Sequence, residues 1–195
     1  IAEAMAMAVE TRDPYTAGHQ RRVAQLAAAI ALDLGLPSDT INGITIAASI
    51  HDIGKLGVPA ELLVKPSRLT DVEFQLIEDH SRAGYEILRN IDFPWPIAEM
   101  VYQHHERLNG TGYPRGLAGD EILPEARIIV VADVVEAIAS HRPYRPALGL
   151  EIAVKELTEF RGIRYDPAPV NACLSLLGGG FVFSADGRQA LQGTA

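Results

Sequence analysis

Apolar residues recur along this chain at intervals of three and four nearly throughout, the period of an α-helix, and strict strand-like alternation is almost absent. Val23, Leu26 and Ile30 mark one such face, in a segment that Asp13-Pro14 opens as N-cap and first-turn proline. It runs to about Asp33, and Gly35 closes it. Ser38 starts a second helix toward Ile53, and Thr70 with Glu73 spells a capping box that opens a third, ending near Asn90. A fourth runs from about Trp95 through His104-His105. The glycine-rich stretch from Leu108 to Leu123 reads as a long loop, and such loops in compact domains are usually functional or disordered. Pro124 then begins EARIIVVADVVEAIAS, whose β-branched run also suits a strand but whose length and surroundings favour a buried helix. Two more helices follow near Leu150–Phe160 and Pro167–Leu177. The tail from Gly178 carries three consecutive glycines and is expected to be loosely held.

These elements predict an all-α bundle of roughly seven or more helices over residues 1–177, followed by a tail at 178–195. The chain opens at Ile1 inside a helical pattern, so we expect a fragment of a longer protein with an upstream sensory or regulatory domain. No run is long and apolar enough to span a membrane, and no secretory signal is evident. Cys173 is the single cysteine, set between Ala172 and Leu174; it excludes an internal disulfide, fits a reducing cytoplasm and reads as a small core residue. A net charge of −8 argues against broad binding of DNA or RNA, although bound metals can reverse the local field for a phosphate ligand.

The same helical periodicity points seven polar residues inward: His19, His51, Asp52, His80, His104, His105 and Asp133. Five of the chain's six histidines belong to this set; only His141 does not. His19 shares a face with Val23, Leu26 and Ile30, and His80 shares one with Ile77, Gly84 and Leu88. Asp133 stands between Ile128–Ala132 and Val134-Val135, where an unpaired carboxylate would cost several kcal/mol. Taken singly, each position also suits a bland reading, such as a core histidine bonded to backbone or a helix-end ion pair. Together they read as a buried multi-metal site, because imidazole and carboxylate are the ligands of hydrolytic divalent metals.

The order of motifs resembles the HD-GYP domain family: D-P-Y-T-A-G-H-Q-R-R-V at 13–23, H-D-I-G-K at 51–55, a downstream His80, H-H-E-R-L-N-G-T-G-Y-P at 104–114, and A-D-V-V-E-A-I-A-S-H-R-P-Y-R at 132–145. His51-Asp52 alone would indicate only the wider HD phosphohydrolase superfamily; His104-His105 and Gly112-Tyr113-Pro114 narrow it to this branch. The resemblance implies a metal-dependent phosphodiesterase of cyclic di-GMP in bacterial signalling, in the cytoplasm. It implies that His19, His51, Asp52 and Asp133 form one metal site and His80, His104 and His105 a second, with Asp52 bridging. It further implies iron or manganese. Some members carry a glutamate four residues before the first histidine that helps hold a third metal; Tyr15 stands there, so two ions are expected. Asn109 replaces an aspartate common in relatives and is not an expected ligand.

Phosphodiester hydrolysis needs an activated water, neutralised phosphate oxygens and a stabilised leaving alkoxide, and two divalent ions about 3.5–4 Å apart supply all three. Lys55, three residues after Asp52, is placed to donate to the phosphate or leaving oxygen; it also suits a solvated helix end. Arg142 and Arg145 resemble the family's basic ligand-binding positions, and arginine's planar fork suits phosphate. Tyr113 is expected to stack on a guanine or to shape the loop, and the 108–123 loop is a rival site for contact with a partner protein. The expected product is linear pGpG, with slower passage to GMP; a homodimer is also open. The competing functions are a phosphohydrolase of another nucleotide and a non-catalytic cyclic di-GMP sensor or interaction domain.

Overall fold

A computed structural model describes residues 2–13, 18–140 and 148–183. The helices are α1 (Ala2–Arg12), α2 (His19–Asp33), α3 (Ser38–Ile50), α4 (Ala60–Leu63), α5 (Asp71–Glu78), α6 (His80–Leu88), α7 (Ile97–Gln103), α8 (Pro124–Ala139), α9 (Leu150–Phe160) and α10 (Pro167–Gly178). Among the described residues β-pairing is confined to isolated bridges, so the all-α expectation holds. No described helix is long and apolar enough to cross a membrane.

Helix α2 lies against α3 and α8, and these three supply much of the core. Val23, Leu26, Ala27 and Ile30 from α2 meet Ile44, Ala47, Ala48 and Ile50 from α3, all fully buried. Alanines on these faces let the helix backbones approach closely. Helix α8 is buried along most of its length, which explains why its sequence lacks a polar face. Helices α6 and α7 pack on each other and contribute Leu88, Ile97, Met100 and Val101 to the same core, with α7 also against α3. Cys173 is buried in α10, as its apolar neighbours predict.

Several boundaries differ from the sequence reading. The helix expected from Asp13 begins at His19, because Gly18 adopts φ 70°, a left-handed conformation that no continuing α-helix can include. The second helix stops at Ile50, and the chain continues as a 3₁₀ turn over Ile53–Gly57. The capping box of Thr70 and Glu73 forms, but the helix it opens ends at Glu78, and α6 starts at His80 after a break at Asp79. The fourth helix ends at Gln103, so His104 caps it and His105 lies just beyond. The expected 108–123 loop contains an antiparallel bridge between Asn109 and Ala118 and a 3₁₀ turn at Gly119–Glu121. After α10, Phe181 and Phe183 pack against the core.

Candidate metal centre

Helix ends assemble the site. His51 caps the C-terminus of α3, His80 follows the end of α5, and His104 caps α7. The last carbonyls of a helix have no intrahelical partner. Each of these imidazoles uses one, three residues back: Nδ1 lies 2.7 Å from Ala48 O in His51, 2.6 Å from Ile77 O in His80, and 2.6 Å from Val101 O in His104. A carbonyl can only accept, so each Nδ1 carries the proton and each Nε2 presents a lone pair.

Those lone pairs converge with carboxylates. Asp52 directs Oδ2 at Nε2 of His51 (3.6 Å) and of His19 (3.7 Å), while its Oδ1 lies 3.3 Å from Nε2 of His80. Asp133, from the middle of α8, places Oδ1 3.3 Å from Nε2 of His19 and 3.8 Å from Nε2 of His51. His105 packs on His104 and His80, with ring centroids 4.0 and 5.0 Å away. Three overlapping sets have ligand atoms within 4.8 Å of one another: His80, His104 and His105; His19, His51 and Asp133; and His51, Asp52 and His104. All seven inward-pointing residues of the sequence reading therefore meet in one place.

The donor set fits divalent metal. Nε2 of His80 and Nε2 of His104 stand 3.2 Å apart, and with both Nδ1 atoms protonated neither can donate to the other. Two lone pairs facing each other in a buried pocket call for a shared donor or a cation. Protonation is opposed: burial, then His51 and His80 nearby, pushes the His104 imidazole down to about 3, and burial likewise lowers His80 and His105. A metal cation meets the demand without charging an imidazole. The carboxylates stay ionised. Burial raises the Asp52 pKa, but Lys55, His51, His80 and His19 more than offset it, and Asp133 is held low in the same way by His19, His51 and His105.

One close backbone approach brings Asp52 beside His80. Gly54, in the 3₁₀ turn, lies so near α6 that a Cβ there would sit 1.8 Å from the His80 carbonyl oxygen. Only glycine allows the turn to press against α6 at this depth. Lys55, one residue on, donates from Nζ to Asp52 Oδ2 at 2.8 Å and lies 3.8 Å from Asp13 Oδ2. Tyr113 is half-buried with its ring 4.6 Å from that of His105, and its amide donates to the His105 carbonyl at 3.3 Å. Burial, then Asp133 and Glu78, raises its phenol far above the ordinary value. Arg142, Arg145 and Tyr15 lie outside the described residues. Asn109 is exposed and accepts from the Thr111 hydroxyl at 2.7 Å.

Two buried carboxylates were missed by the sequence reading. Glu136 meets His19 Nδ1 through Oε2, and its Oε1 accepts from Arg22 Nε at 2.8 Å and from Ser140 Oγ at 2.6 Å. Burial raises its pKa, but the His19 and Ser140 hydrogen bonds and Arg22 bring it down to about 2. The available signal was its position one turn beyond Asp133, on the same helix face. Glu106 is 1% exposed and accepts from the amides of Arg115 and Leu117, each at 2.9 Å, thereby tying down the loop that carries Tyr113. Its signal was a charge directly after His104-His105 in a segment otherwise turned inward.

The HD domain family model matches residues 3–168. The chain is 40% identical over 172 residues to the cyclic di-GMP phosphodiesterase response regulator RpfG of Xanthomonas campestris, covering 87% of this chain and 46% of that protein. It is 38% identical over 180 residues to the 3'3'-cGAMP-specific phosphodiesterase 3 of Vibrio cholerae, covering 91% and 39%. The chain thus spans less than half the length of these curated relatives. A similar fold is found in an HDG"Y"P protein from Bdellovibrio bacteriovorus, with TM-score 0.68, 22% identity, and 83% of this chain and 52% of that one covered.

Proposed function

This chain belongs to the HD domain family, and from that membership we propose that it hydrolyses cyclic di-GMP to linear pGpG at a centre of two divalent ions. The observation that carries the reading is the convergence of imidazole Nε2 atoms on the two oxygens of Asp52, with Oδ2 toward His19 and His51 and Oδ1 toward His80. His19, His51 and Asp133 would hold one ion, His80, His104 and His105 the other, and Asp52 would reach both. When bound, such a pair supplies an activated water and neutralises charge on the phosphate oxygens. Iron or manganese suits this mixture of imidazole and carboxylate. Two ions rather than three is the proposal, with Tyr15 at the position of a third-ion glutamate.

Hydrolysis joins a water oxygen to phosphorus, breaks one ester P–O bond and delivers a proton to the leaving oxygen. Lys55, touching Asp52, is the group we assign to the phosphate or that leaving oxygen. Tyr113, Arg142 and Arg145 are assigned to the nucleotide, the two arginines through bidentate bonds to phosphate. Relatives acting on cyclic di-GMP and on 3'3'-cGAMP match at similar identity, which makes the second nucleotide the rival substrate.

The test is chromatography of products after the metal-loaded chain meets cyclic di-GMP, 3'3'-cGAMP and mononucleotides separately. Appearance of pGpG from cyclic di-GMP at the highest rate supports the proposal. Intact cyclic di-GMP beside a consumed alternative assigns another substrate, and no turnover of any nucleotide points to a binding domain.

A further inference from the structure

Three imidazoles of the centre place Nδ1 on a backbone carbonyl, and a fourth, His19, solves the problem differently. His51 and His104 cap helix C-termini, and His80, although it opens α6, follows the end of α5 so closely that it reaches the Ile77 carbonyl there; all three use orphan carbonyls. His19 is the first residue of α2, a helix N-terminus, where the unpaired backbone groups are donors. No carbonyl of its own helix end can accept from it. Its partner comes from 117 positions away: Glu136, buried in α8. The two carboxylates one turn apart on α8 thus bracket a single ring, Asp133 at Nε2 and Glu136 at Nδ1. Arg22 and Ser140 occupy Oε1 of Glu136, which leaves Oε2 aimed at His19.

A carboxylate behind an imidazole fixes its tautomer and makes it a stronger ligand than a carbonyl does. The two halves of the centre are therefore unequal. Beyond the shared Asp52, the half built from His19, His51 and Asp133 has an anionic ligand of its own and an anionic group behind it, whereas the half built from His80, His104 and His105 adds imidazoles alone. Resting on the two-ion reading above, we propose that Glu136 is a positioning residue that makes the His19–His51–Asp133 half the tighter metal position.

The test is Mn²⁺ binding to the chelator-stripped chain by equilibrium dialysis, comparing the parent with Glu136→Ala and Glu136→Gln, each also in a His80→Ala background that disables the other half. Parent chain should bind two ions of unequal affinity. Glu136→Ala should weaken the tighter one by about 10–100-fold and leave the weaker one unchanged, as loss of such an outer partner does. Glu136→Gln keeps an acceptor oxygen but no charge, so it should fall between the two and melt like the parent. Where Glu136→Ala does not fold, the glutamine variant decides alone. Parental affinity at both positions in the variants, or equal weakening of both, overturns the proposal while leaving the two-ion centre standing. A parent that binds no divalent ion overturns the centre itself.

Discussion

At the scale of the residue, the tautomer of three imidazoles is what would let a buried polar cluster hold metal. His51, His80 and His104 each spend the Nδ1 proton on a carbonyl three residues earlier, so the remaining nitrogen can only accept. Removing one ligand pair should therefore empty the centre and not merely loosen it: His51→Ala with Asp52→Ala is expected to lose bound metal and turnover together, read by metal analysis and product chromatography on one sample. Equal turnover in metal-loaded parent and variant would refute the assignment. Lys55 is a different kind of group. It touches Asp52 but offers no lone pair when charged, so Lys55→Ala should lower turnover by about 10²-fold or more, in the range of a lost electrostatic or proton-donating contact, while metal content changes little. Parallel loss of both would make its role structural.

At the scale of the element, two devices place these residues. The 3₁₀ turn that carries Lys55 presses against α6 through Gly54, and Gly54→Ala should destabilise at the upper end of the roughly 1–3 kcal/mol of an overpacked interior, seen as a lowered melting temperature. The second device is Glu106, which holds the amides of Arg115 and Leu117 and so keeps Tyr113 against His105. Glu106→Ala removes the acceptor of two part-buried amide donors, at about 1 kcal/mol each. We expect lower thermal stability and faster proteolysis between residues 108 and 123, with helical circular dichroism retained. The buried helix α8 and the seven inward polar residues were legible because hydrophobic period and polar intrusion are local signals. The break at Asp79 was not, since its backbone stays helical (φ −63°, ψ −13°) and neither glycine nor proline marks it. The partnership of His19 with Glu136 escaped for another reason: it depends on α2 and α8 packing side by side, which spacing along the chain does not encode.

At the scale of the whole molecule, the proposed centre would couple metal, pH and stability. His104 titrates near 3 in the folded chain against an ordinary 6.5, because burial disfavours its charged form. Between those values the unfolded chain binds more protons than the folded one, so stability of the metal-free protein rises with pH across that window and is lost as acid is added. Asp52 and Asp133, held below the ordinary 3.8, act in the same direction at lower pH. Thermal melts of stripped protein from pH 7 to 4 should show a falling midpoint. Bound metal should raise that midpoint at neutral pH and be released by acid, since ligand protonation competes with it. The proposed pair of cations, held by seven side chains from distant parts of the chain, is the step on which all of this rests. Its most direct test is the metal content of the anaerobically purified, metal-loaded chain: about two divalent ions per molecule are predicted, and a folded chain that retains none would contradict it.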